Sequence, residues 1–352
     1  MVDLMASFLL GHQVTRRPGK PIESNEVDLM AFFISVHQME PMTGVEKENQ
    51  SSAQEFILLG FPGNQLLQIS LSVVFTMTYI LAVTGNFAII AVVIARPHLQ
   101  TPMYIFLSNL SFLEIWYTTA SVPKAIAVFL GKSKTISFVG CILQMYFIFS
   151  LGCTEFFLLS VMAYDRYLAI CYPLRYSTLM SSTKCTHLTF LCWVSGFLCM
   201  SIHNSLVTRL SFCGSNVINN FFCGADSLIF LSCSDISVVK WVGFLMAIIV
   251  ILGSCLTTLV SYIFIISTIL RIPSARGRQK AFSTCSAHLI VVVMWYSSNI
   301  FLYIRVYRYS FFDMHKFVNT VNTIVTPLLN PFIYTLRNKE VKEALGKLFK
   351  RI

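Results

Sequence analysis

Apolar residues gather into seven long runs along the chain, with polar breaks between them. The runs fall at about 68–95, 103–130, 138–164, 186–207, 238–270, 280–304 and 314–335. A membrane-spanning helix needs about 20 mostly apolar residues, and each run supplies that length. Most breaks are brief and carry turn residues such as Pro97 and Gly131. One is longer, a polar segment over 208–237 with three cysteines. No internal repeat relates one part of the chain to another, so the inverted-repeat architecture of many transporters finds no support. The pattern predicts an all-α membrane protein built as a seven-transmembrane helix bundle.

Composition points the same way. Of 352 residues, 55% are hydrophobic and only 12% charged, where a soluble domain carries about 25% charged residues. Disorder and a small disulfide scaffold are excluded. A net charge of +10 could suit nucleic acid, but the basic residues cluster at the ends of the apolar runs, as the positive-inside rule requires. No zinc-finger spacing or basic-aromatic alternation accompanies them, so a nucleic-acid partner is not expected. An outside N-terminus puts fourteen Lys and Arg on the cytoplasmic side, eight on the outer side and four in the N-terminal tail. Asn49-Gln50-Ser51, just before the first run, is a glycosylation sequon that suits this orientation. After Leu336, Lys and Arg alternate with apolar residues, which predicts a short C-terminal amphipathic helix on the inner leaflet. The expected organisation is an extracellular tail over 1–67, with 1–41 a disordered extension ahead of Met42. A helical domain over 68–335 and a cytoplasmic tail over 336–352 follow.

Candidate chemistry lies where polar groups are costly. Glu114 and Glu155 sit inside the second and third runs, and ionisable groups at that depth are functional candidates. They can share a proton, hold a cation such as sodium, or hydrogen-bond through water. No nucleophile or metal set accompanies them and the seven histidines form no ligand motif, so an enzyme is not expected. Asp165 and Arg166 form a charged pair at the inner end of the third run. Such a pair can stay satisfied or act as a two-state element. Asn330 and Pro331 predict a kink in the seventh run, where Pro331 frees a carbonyl and Asn330 can satisfy polar groups. Cys141, Cys213, Cys223 and Cys233 face the oxidising side and allow three pairings.

Six blocks of sequence resemble the odorant receptors, a branch of the rhodopsin-like G-protein-coupled receptors. They are Gly85-Asn86; Pro102-Met103-Tyr104 with Leu107 to Ser111; and Met162 to Cys171 with Pro173-Leu174-Arg175-Tyr176. The others are Ser261-Tyr262, Lys280 to His288, and Pro327 to Tyr334 running into Leu336 to Lys339. The resemblance covers about 52–348. It departs at Glu114, where the family usually has Asp, and at Trp295-Tyr296-Ser297, where the family typically reads Phe-Tyr-Gly.

The resemblance implies a receptor that binds small, mostly apolar volatile molecules within the bundle and activates a stimulatory, olfactory-type heterotrimeric G protein, raising cyclic AMP. It implies a multi-pass plasma-membrane protein on olfactory neuron cilia, with its N-terminus extracellular. It pairs Cys141 with Cys223 and Cys213 with Cys233. It assigns the switch to Asp165, Arg166, Tyr167, Tyr262, Asn330, Pro331 and Tyr334, and a polar, candidate sodium site to Glu114 and Glu155. The ligand region between the third, fifth and sixth spans offers Met145, Ile148, Phe149, Gly152 and Cys153; then Met246, Ala247 and Val250; then Tyr296, Asn299, Ile300 and Tyr303. No carboxylate lies on the outer half of the third span, which argues against an amine ligand. A receptor for a non-odorant metabolite and a proton-coupled carrier are the rival readings.

Overall fold

The structure is a computed structural model that describes residues 54–337 apart from Gly214 and 306–311. The extension 1–41, the sequon at Asn49 and the tail beyond Arg337 lie outside the described residues, as does the side chain of Tyr303.

Seven long helices form among the described residues. They are α1 (Gln65–Ala95), α2 (Pro102–Phe129), α3 (Phe138–Cys171) and α4 (Ser182–Val207). Next come α5 (Ser237–Arg271), α6 (Ala275–Arg305) and α7. The last comprises Phe312–Thr320, a π turn over Val321–Val325, and Thr326–Arg337. Local chemistry fixes their starts. Asn64 accepts from Leu67 N at 2.9 Å, and Ser137 accepts from Gly140 N at 3.1 Å. Pro102 opens α2, where its missing N–H costs nothing. Past the end of α2, Gly131 takes φ +67°, a left-handed conformation that glycine adopts without strain.

Two helices outrun the apolar runs that predict them. α3 continues from Tyr164 to Cys171, and α6 starts at Ala275 rather than about 280. Hydropathy falls at the edge of the apolar layer, whereas the hydrogen-bond ladder carries on beyond it. α5 contains a π turn, Ile248–Leu252, that the apolar pattern does not announce.

By length and composition, α1, α3, α4, α5 and the Cys285–Leu302 part of α6 can each cross a membrane. α2 and α7 are less apolar because their inward faces carry polar groups. Glu114, Thr118 and Ser121 are buried on α2, and Asn319, Asn322, Thr323, Thr326 and Asn330 on α7. α3 is the central element: 61% of its apolar stretch is buried, against 22% for α4 and for α5.

A small sheet caps the outer end. The strand β1 (Glu55–Leu58) pairs antiparallel with β2 (Thr135–Ser137) and parallel with β3 (Val217–Ile218), so the segment before α1 is the central strand. Strand alternation turns Phe56 and Leu58 inward, both fully buried, into a cluster with Cys141, Met145 and Cys223. Phe61 stacks on Phe221 at 5.8 Å. From α7, Lys316 donates to the Gly60 carbonyl at 3.0 Å and to Asn219 Oδ1 at 2.6 Å, joining this cap to the bundle. Disulfides Cys141–Cys223 and Cys213–Cys233 fasten the long outer loop to α3 and to itself.

Truncating a buried Phe costs about 3–5 kcal/mol. Phe56→Ala is therefore expected to lower the thermal midpoint of the purified protein in detergent by several degrees. Leu59→Ala, at an exposed neighbour, leaves it in place.

Candidate functional site

A column of buried polar groups runs down the bundle axis, and a proline organises it. Pro331 has no N–H, so the carbonyl four residues earlier, that of Pro327, loses its helical partner. Asn86 of α1 fills the gap: its Nδ2 donates to Pro327 O at 3.0 Å as well as to Ala82 O at 2.9 Å. The sequence reading gave the task of satisfying freed groups to Asn330. The structure gives the Pro327 carbonyl to Asn86, because Asn330 is spent elsewhere, donating to Glu114 Oε1 of α2. Gly85 allows α1 to approach, since a Cβ there would sit 3.2 Å from the Pro331 ring.

Around Asn330 the oxygens outnumber the donors. Glu114 Oε2, both Glu155 oxygens and Asn330 Oδ1 are buried without a hydrogen-bond partner among the described residues. The two carboxylates lie close enough to interact electrostatically. Hard, unpaired oxygens of this kind fit a small cation.

Below them, His288 joins three helices. Its Nε2 meets the Leu159 carbonyl of α3 at 3.2 Å, and its Nδ1 meets Tyr262 OH of α5 at 2.8 Å. A carbonyl can only accept, so Nε2 carries the hydrogen; a neutral ring then leaves Nδ1 to accept from the tyrosine. The Tyr262 and His288 rings stack at 5.9 Å. Tyr334 is buried beside this group, its hydroxyl without a hydrogen-bond partner among the described residues, in the field of Tyr262, Glu155 and Arg166.

At the inner end Arg166 pairs with Asp165, both buried. The other oxygen of Asp165 accepts from Tyr176 OH at 2.7 Å, from the short helix Tyr176–Leu179 of the loop that follows α3. Burial, and then the Asp165 carboxylate, push the Tyr176 phenol up, so it remains a donor. Tyr167 stands apart from this set: it packs on Tyr172 and on Phe264 of α5.

Above the column the lining is apolar. Ile148, Cys153, Val250 and Tyr296 are buried in the main core, with Ala247 and Ile300 against it. Phe156 bridges Trp295 and Tyr296 at 5.5 and 5.2 Å. Met145 and Phe149 sit higher, in the cluster under β1, so the expected ligand residues divide between two levels. Met246, Gly152 and Asn299 are half-buried.

The olfactory receptor family pattern matches residues 75–351. The chain belongs to the olfactory receptor family. The receptor is 58% identical to human olfactory receptor 6F1 over 302 residues, which is 86% of this chain and 98% of that protein. It is 57% identical to rat olfactory receptor 287 over 303 residues, 86% of this chain and 97% of that one. In fold it resembles squid rhodopsin, with a TM-score of 0.66 over 82% of this chain and 87% of that one at 15% identity. This is a family of receptors rather than enzymes, with odorant ligands and G-protein coupling in general.

The sequence reading assigned no role to His288, Lys316 or Tyr176. His288 had two available signals, as the histidine within the apolar stretch of α6 and as the end of the Lys280 to His288 block. Lys316 had none, because its partners Gly60 and Asn219 are distant in sequence; Tyr176 lies in the block after the third run, eleven residues from Asp165, where nothing in the sequence marks the contact.

Leaving the Pro327 carbonyl unpaired is expected to cost about 1–2 kcal/mol. Asn86→Leu should lower the thermal midpoint by a few degrees, whereas Thr84→Val, at an exposed position two residues earlier, changes it little. A double-mutant cycle on Tyr262→Phe and His288→Phe should give a coupling of about 1 kcal/mol. A coupling near zero would remove the clamp from the account.

Proposed function

We propose that this receptor binds small, mostly apolar volatile molecules among α3, α5 and α6 and activates a stimulatory, olfactory-type G protein, raising cyclic AMP. The observation that carries this reading is the stacking of two environments along α3. Its outer half lines an apolar region without a carboxylate. Its inner half carries a buried ion pair that is held by a loop hydroxyl. Removing one member of a buried pair costs about 3–5 kcal/mol, so the resting state is well defined. A ligand shifts such an equilibrium only through its differential affinity for the two states, and a few kcal/mol suffice.

On this reading α6 swings outward, Arg166 leaves Asp165, and the inner face takes the G protein. Leu174, 97% exposed on the loop after α3, offers an apolar knob, and Arg271, Arg276, Arg278 and Lys280, exposed where α5 ends and α6 begins, offer positive charge. Glu114, Glu155 and Asn330 would hold a sodium ion, which supplies positive charge to a surplus of oxygens. The N-terminal tail over 1–67, glycosylated at Asn49, lies outside the cell. The tail over 336–352 lies on the inner leaflet, and the working site is the plasma membrane of olfactory cilia.

The test is cyclic AMP in cells that co-express the receptor and an olfactory-type stimulatory G protein, with surface delivery measured first and a broad odorant panel applied. A ligand-dependent rise that Arg166→Ala abolishes is the expected result. Silence across the panel, with the receptor at the surface, contradicts it. Tyr176→Phe removes one hydrogen bond from the resting pair and is expected to raise ligand-free signalling about fivefold. Glu155→Gln should make signalling insensitive to exchange of sodium for choline.

A further inference from the structure

Trp295 stands where the family resemblance gives phenylalanine, so the receptor carries an indole N–H that a phenylalanine would lack. The side chain is 2% exposed and reaches from α6 across α3, its ring 5.5 Å from Phe156 and edge-on to Tyr117 of α2 at 6.3 Å. Its Nε1 is buried, and no acceptor among the described residues pairs with it. An indole N–H can only donate, and a buried one ordinarily finds a partner. Other polar groups on this stretch of α6 are occupied within the protein. The Tyr296 hydroxyl faces Thr258 at 3.5 Å, with Ser254 and Ser160 beside it, and Asn299 Nδ2 donates to the Trp295 carbonyl at 2.8 Å.

The donor edge faces a place with room. A Cβ built on Gly152 of α3 would meet a single neighbour, Trp295 Cζ2, at 4.0 Å. That carbon is bonded to the one bearing Nε1, so the N–H edge borders the space that Gly152 leaves open. One turn further in lies Glu155, buried with neither oxygen partnered among the described residues. A ligand carboxylate here would be a third carboxyl group beside Glu155 and Glu114, more negative charge than a single sodium ion at that pair offsets. A neutral acceptor meets a donor and apolar walls.

We propose that Trp295 Nε1–H is a specificity-determining donor that reads a neutral acceptor oxygen on the ligand. The receptor then prefers small monofunctional aldehydes, ketones and esters over hydrocarbons of the same length and over carboxylic acids. This rests on the ligand site lying among α3, α5 and α6.

The test measures signalling from surface-verified receptor to a straight-chain series of equal length, comprising an aldehyde, a 2-ketone, a methyl ester, the parent alkane and the carboxylate. Wild type is expected to respond to the first three at concentrations about tenfold lower than to the alkane, the factor one neutral hydrogen bond supplies. Trp295→Phe, which keeps a ring and loses the N–H, should bring those three to the potency of the alkane and leave the alkane unchanged. Gly152→Val, which keeps the N–H and fills the space at its edge, should do the same. A difference between ketone and alkane that survives Trp295→Phe overturns the assignment. An equal shift for every probe does so too, since it makes Trp295 a packing residue. Failure of every acceptor-bearing probe to signal likewise overturns it. Val250→Trp, which crowds the region between α3 and α5, separates the two claims. If it leaves all responses intact, the ligand site itself is misplaced; if it abolishes them while Trp295→Phe does nothing, only the role of Trp295 falls.

Discussion

The hydrogen bond from Asn330 to Glu114 holds the inner half of this receptor together. In lipid no water stands ready to satisfy a buried polar group, so each must find its partner in the protein. α2 and α7 could be made uniformly apolar and would then cross the bilayer more readily. They carry carboxylate and amide groups instead, and those groups join the two helices to each other. Asn86 on the Pro327 carbonyl adds α1, and His288 between Tyr262 and Leu159 adds α5 and α6. Each contact answers a specific deficit, such as a missing proline N–H or a hydroxyl without water.

Such contacts are individually modest, and that suits the proposed switch. A neutral hydrogen bond contributes about 0.5–1.5 kcal/mol net, so several can exchange together for a cost within reach of a weak ligand. Leaving one group behind is more expensive, which favours concerted movement over partial opening. The column ends at the buried Asp165–Arg166 pair and at Tyr176, which donates to Asp165. The outer end is built differently. Phe56 and Leu58 on β1, the two disulfides and Lys316 hold a cap of apolar packing and covalent bonds.

Much of this was legible in the sequence. Seven apolar runs gave the helices, because burial in lipid needs little beyond length and hydrophobicity. Charge and the proline–asparagine pair pointed to the residues of the column. What escaped was pairing. Asn86 and Pro327 are 241 residues apart, and Lys316 and Gly60 256 apart, and no local pattern encodes such a contact. Strand β1 escaped because a central strand of four residues leaves almost no periodic signal. The inner ends of α3 and α6 were drawn short because hydropathy falls where the membrane ends, not where the helix does. The ligand residues were the least legible. An apolar side chain that faces a ligand and one that faces a neighbouring helix look alike in sequence; Trp295 stands out as a departure from the family pattern, and only the structure shows its unused N–H.

The central claim is that the Asp165–Arg166 pair and the inner ends of α3 and α6 form one two-state element. Pulsed electron paramagnetic resonance measures it most directly, with spin labels at the exposed Arg175 and Arg278 of receptor in lipid nanodiscs. The comparison is between receptor alone and receptor saturated with nucleotide-free stimulatory G protein. A longer distance in the complex, reproduced in part by Asp165→Asn without G protein, is the predicted result. One unchanged distance distribution in all three samples, with the G protein shown to be bound, would contradict the account.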